Sequence, residues 1–184
     1  MRCVKLKDKI DLFSQLSVYH ENILKLSQAF KPLIEFIKAG DIDKAKIEFM
    51  KIYILEFVDH FNLEEKVIFP AVKVWSKEIK YRRIIDGYLQ IHNTLRKKSG
   101  VIISKVIAKN CQFSKEQLQM LISEIEELRE IVTEHAKNEN TEIIPLLKNN
   151  SGLRFLSNRN LIVYRTFLRN MKSEKPGVKL LDQA

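Results

Sequence analysis

The sequence predicts an all-α fold: an up-down-up-down antiparallel four-helix bundle with a short C-terminal helical extension. Three observations predict it. Glycine and proline are scarce, five and four in 184 residues, against abundant Leu, Ile, Lys and Glu, a balance that favours helix over turn-rich sandwiches and barrels. Apolar residues recur at helical period in four long segments with short connections, and short connections make consecutive helices antiparallel neighbours. Each segment also carries a histidine on its apolar face: His20, His60, His92 and His135, which are all the histidines of the chain.

The first helix is expected from about Lys9 to Ala39. Leu12, Leu16, Tyr19, His20, Ile23 and Leu26 share its inward face, Pro32 bends it, and Gly40 stands where a C-terminal cap belongs. Asp41 or Asp43 caps the second, which runs to about Pro70 or slightly beyond with Tyr53, Glu56, Phe57, His60, Glu64, Val67 and Ile68 turned inward. Ser76 opens the third, which reaches about Asn110 and aligns Ile84, Ile85, Tyr88, His92 and Leu95. Ser114 and Gln117 form a capping box for the fourth, whose stripe is Leu121, Ile125, Leu128, Ile131, Val132, His135 and Glu139. The stretch from Asn149 to Gly152 ends it, Leu153 to Met171 forms a short amphipathic helix, and the tail frays after Pro176. The chain thus divides into two units, residues 1–150 as the bundle and 151–184 as a basic extension.

The net charge of +9 is unevenly spread. Residues 151–184 set Arg154, Arg159, Arg165, Arg169, Lys172, Lys175 and Lys179 against Glu174 and Asp182. No RNP, zinc-finger or helix-turn-helix signature accompanies that charge, so nucleic acid is not the expected partner; a solvated face, or a helix that docks a protein partner or a second copy, is. Cys3 and Cys111 are too few for a disulfide framework or a thiolate zinc site, which places the chain in a reducing compartment, the cytoplasm. The first residues lack the apolar run of a secretory signal, and no later stretch has the length of a membrane span, so a soluble protein without membrane contact is expected.

The histidines belong to a pattern written twice. His20 precedes His60, Glu64 and Pro70; His92 precedes His135, Glu139 and Pro145. Residues four apart share one face of a helix, so each His–Glu pair aims a nitrogen and a carboxylate at one point. Mixed nitrogen and oxygen donors suit iron, manganese or zinc rather than calcium or a structural thiolate zinc. Six side chains make a dinuclear site: His20 and His60 on one ion, His92 and His135 on the other, Glu64 and Glu139 spanning both. Each ion keeps open positions, which for iron means a small molecule such as dioxygen, peroxide or nitric oxide. The competing reading is a metal-free polar layer inside a helical interaction module, which would bury many polar groups at a high cost.

These residues, with Val67-Ile-Phe-Pro70 and Glu142-Ile-Ile-Pro145, resemble the hemerythrin-like HHE cation-binding domain over about Asp8 to Lys148. The resemblance implies a four-helix bundle around two iron ions joined by an oxo or hydroxo bridge, with the same six residues as ligands. Oxygen-carrying members have a further histidine one turn after the third-helix ligand, where this chain has Arg96, and an aspartate where it has Glu139; Arg96 either faces a glutamate near the site or points outward. The set of four His and two Glu is closer to the repair of iron centres (RIC) proteins, which implies a role in oxidative or nitrosative stress or iron homeostasis. Glu56, one turn before His60, is similar to an acidic residue those proteins place near the metal; a solvent-facing carboxylate is the other reading. RIC proteins carry a separate cysteine-bearing N-terminal domain, for which Cys3 is no substitute. The expected function is a di-iron protein that binds or reduces a small molecule, with an external electron donor; the alternative is an oxygen or iron sensor or store using the same centre.

Overall fold

A computed structural model describes residues 28–107 and 113–173. The described residues are helical apart from short caps and turns, and they build the helical bundle that the sequence predicts. Helix α1 covers 28–38 and passes through Pro32 without interruption; the rest of the first predicted helix, His20 included, lies outside the described residues. Its end is a Schellman cap, with Gly40 at φ +75°, Gly40 N–H donating to Ile37 O and Asp41 N–H to Phe36 O, an arrangement that a residue without a Cβ enters at no steric cost. Asp41 then accepts from Lys44 N–H and caps the next helix.

Helix α2 spans 42–75 and changes winding along the way. Ile42–Lys51, Asp59–Leu63 and Phe69–Trp75 are α-helical, whereas Ile52–Val58 and Glu64–Ile68 are π-helical. The second wide turn closes with Phe69 N–H donating to Glu64 O, five residues back. Pro70, at the start of the last α segment, has no N–H to donate, and a turn already widened ahead of it lets the helix continue beyond it to Trp75. Ser76 closes α2 in an extended conformation and its hydroxyl accepts from Glu78 N–H, so α3 opens at Ile79, three residues later than expected, and is described to Ile107.

Helix α4, Lys115–Asn149, starts at the expected capping box: Ser114 Oγ accepts from Gln117 N–H and Gln117 Oε1 from Ser114 N–H. It passes through Pro145 unbroken. The predicted break before the extension is narrower than Asn149 to Gly152. Asn150 alone interrupts the helix, and α5 runs Ser151–Ser173; the residues after Pro176 lie outside the described ones.

Cross-helix pairs set the directions. Lys105 meets Glu124, Lys98 meets Glu127, His92 meets His135 and Tyr88 meets Glu142, so α3 and α4 are antiparallel. Lys73–Asp86 and Glu65–His92 do the same for α2 and α3. The core forms two apolar layers. One, around Phe30, Leu33, Phe49, Ile102, Leu121 and Ile125, fills one end. The other joins Val67, Ile68, Ile85, Ile143 and Leu147 to Leu153 and Leu161 of α5.

Helix α5 is therefore packed on the bundle. Leu153, Ser157 and Leu161, four apart, are its buried face, and the Asn160 side-chain amide donates to Val67 O at 3.0 Å, inside the π turn of α2. Its outward face leaves Phe155, Ile162, Val163 and Phe167 exposed. Leu161→Ala should lower the free energy of unfolding by about 2–5 kcal/mol, whereas Phe155→Ala should stay within about 0.5 kcal/mol of wild type. Denaturant titration checks both, and equal small effects would mean that α5 is not docked.

Candidate metal centre

Between the two apolar layers lies a buried polar layer: His60, Glu64, His92, His135 and Glu139, none more than 2 % exposed. Helix periodicity brings them there. His60 and Glu64 lie one turn apart on α2, His135 and Glu139 one turn apart on α4, and His92 projects from α3 between them.

Each carboxylate reaches toward two places. Glu64 sets Oε1 3.2 Å from His60 Nε2 and Oε2 3.2 Å from His92 Nε2. Glu139 sets Oε2 3.4 Å from His60 Nε2 and Oε1 3.3 Å from His135 Nε2. The Nε2 atoms of His92 and His135 are 2.9 Å apart. Two imidazoles thus mark one end of the layer, His60 marks the other, and both carboxylates run from end to end. Donor atoms of His60, Glu64, His135 and Glu139 all fall within 4.8 Å of one another, close enough to hold a metal ion.

The electrostatics agree with that use. Burial raises the Glu139 pKa well above the carboxylate range, and repulsion from Glu64 beside it adds to the rise. Burial by itself would lower the His60 pKa, but the Glu64 and Glu139 carboxylates outweigh it and push it up to about 10. Two carboxyl groups side by side in a dry core ionise only against compensating positive charge, supplied by a protonated imidazole or by metal cations.

Aromatic rings wall the layer. Phe61 stacks on His92 with centroids 3.9 Å apart, Phe69 lies on His92 at 5.6 Å, and Tyr88 meets His135 edge-on at 5.3 Å. The Tyr88 hydroxyl donates to Glu142 at 2.7 Å, so it is engaged by that carboxylate; burial, then Glu142, keep it a phenol. A recess of about 310 Å³ between α3 and α4, lined by Ile91, Glu130, Ile131, Glu134, His135 and Asn138, opens beside His135.

Of the sequence-derived site residues, five converge. His20 and the Glu56 side chain lie outside the described residues. Arg96, open between facing a glutamate and pointing outward, faces Glu65, and Glu65 itself escapes a reading of spacing alone. Glu65 sits 2.8 Å from His92 Nδ1 and 2.8 Å from Arg96 Nη1. Burial alone would raise its pKa; the hydrogen bonds from Arg96 and His92 reverse this and hold it low. The signal available for it was a second carboxylate directly after Glu64 and a cation one turn after His92.

No helix among the described residues is long and apolar enough to cross a membrane. Comparison with curated proteins and with solved structures gives no match. The family model of the hemerythrin HHE cation binding domain matches residues 11–147, which include all of the buried polar layer. On that match and a His/Glu cluster able to hold a metal ion, the chain belongs to the hemerythrin HHE cation-binding family.

Proposed function

We propose that the chain is a cytoplasmic non-haem di-iron protein that binds or reduces dioxygen, peroxide or nitric oxide in oxidative or nitrosative stress or iron homeostasis. One observation carries the reading: both Glu64 and Glu139 extend from the His60 end of the layer to the His92 and His135 end. A carboxylate so placed would be able to hold two ions, one at each end of the layer. His60 with His20 would bind the first ion and His92 with His135 the second; manganese and zinc suit the same donors.

Paired iron supplies reversible electron transfer at a position open to a small molecule. The protein's part is to orient and exclude. The helices fix the donors one turn apart, Phe61, Phe69 and Tyr88 cover their faces, and the recess beside His135 would be the approach for a molecule of diatomic size. Electrons come from an external donor. Arg96, one turn after His92, offers no ligand where the oxygen carriers have a histidine, which favours reactive chemistry over reversible storage, as in the RIC proteins.

A sensor reading has its own support. Asn160 of α5 bonds to Val67 O in the turn that begins with Glu64, so a change at that ligand reaches the C-terminal helix directly. Ligand-dependent exchange protection of residues 153–168 favours sensing; gas turnover without such a change favours the reactive role.

Protein purified without added metal should hold about two irons per chain and show visible absorption of paired ferric iron. Glu64→Ala or Glu139→Ala should reduce the metal content to about one or fewer, and exposed Glu126→Ala should leave it unchanged. Full metal content in both ligand variants would overturn the assignment.

The pKa shifts add a pH dependence. The His60 pKa is raised, so its proton is retained between its ordinary value of 6.5 and about 10, and a cation must displace it. Apparent affinity should rise with pH toward about 10, and binding at pH 7 should release about one proton or more per chain. Calorimetric titration in buffers of different ionisation enthalpy measures that release; heats independent of the buffer would count against it.

A further inference from the structure

Glu65 directly follows Glu64 but serves a different direction, because adjacent helix residues stand about 100° apart around the axis. Its Oε1 lies 2.8 Å from His92 Nδ1 and 2.8 Å from Arg96 Nη1. The Arg96 guanidinium also lies 5.3 Å over the Phe61 ring. Phe61 stacks on His92, Phe69 packs on the same imidazole, and His92 Nε2 faces Glu64 and His135. The imidazole is held on its flat side by Phe61 and Phe69 and at its Nδ1 edge by a carboxylate that an arginine fixes in turn.

We propose that Glu65, held in place by Arg96, is the positioning residue for His92: it accepts the hydrogen bond from Nδ1–H, fixes the ring's tautomer, and so makes Nε2 the nitrogen that binds metal. A carboxylate behind a ligating imidazole also makes the ring a stronger donor. The role of Arg96 comes from the same geometry. Its guanidinium is committed to Glu65 and Phe61, so the position one turn after His92 serves the neighbouring ligand from behind. The assignment rests on the two-ion reading above and deepens it at one of the two ions.

The test uses the full chain loaded with zinc, with histidine ring nitrogens observed by long-range proton–nitrogen NMR and zinc affinity measured by competition with a chelator. Wild type should bind two zinc ions with the His92 proton on Nδ1. Glu65→Ala should lose that Nδ1–H signal and weaken one of the two ions by about 10–100-fold, leaving the other unchanged. Glu65→Gln keeps an acceptor oxygen and should recover most of the affinity and the tautomer; Arg96→Ala should fall between. Wild-type affinity and tautomer in Glu65→Ala would overturn the proposal while leaving the two-ion reading intact. So would equal weakening of both ions in Glu65→Ala and Glu65→Gln, which marks a structural role; should Glu65→Ala not fold, Glu65→Gln and Arg96→Ala decide by the same readouts. Failure of wild type to bind zinc would instead overturn the two-ion reading, and this assignment with it.

Discussion

Two carboxylates buried side by side govern this structure. Glu64 and Glu139 lie in a layer that is at most 2 % exposed, flanked at both ends by hydrocarbon and aromatic rings. Anionic groups in such a medium demand compensating positive charge, and three imidazoles point at them. A core built for stability alone would put leucines there. The bundle's length, its antiparallel pairing and its two apolar layers hold these groups in register and keep water away.

The π turns of α2 belong to the same account. Each wide turn adds a residue to the helical circuit and rotates the next segment about the axis, and Glu64 begins the second of them. Asn160 of α5 donates to Val67 O, a carbonyl of that wide turn. The C-terminal helix thus supports the segment that carries a candidate ligand, even though the repeated motif does not include it. Its buried leucines, Leu153 and Leu161, extend the apolar layer next to the site.

Much of this was legible in the sequence, for physical reasons. Apolar periodicity located the helices because burial is what selects those residues, and Ser114 with Gln117 marked a helix start because their chemistry satisfies free N–H groups. The inward placement of His60, Glu64, His92, His135 and Glu139 came from spacing on an apolar face. Other features were hidden. Winding is a property of backbone hydrogen bonds, and nothing in Ile52–Val58 or Glu64–Ile68 distinguishes a π turn from an α turn by residue type. Pro70 set only a loose bound on α2, about Pro70 or slightly beyond, because its missing N–H breaks an ordinary helix, whereas the wide turn before it lets α2 continue to Trp75. Ser76 read as the start of α3 because serine caps either boundary; here it closes α2. Glu65 and Arg96 meet across two helices, and helix spacing says nothing about pairs between elements.

On the proposed function, each carboxylate would join two metal ions. X-ray absorption at the iron edge of the iron-loaded protein tests it most directly, because scattering from a neighbouring iron reports the pair itself. An iron–iron separation of about 3–4 Å, lost in Glu139→Ala, is the predicted result. Iron bound with no metal neighbour at that distance would contradict the account.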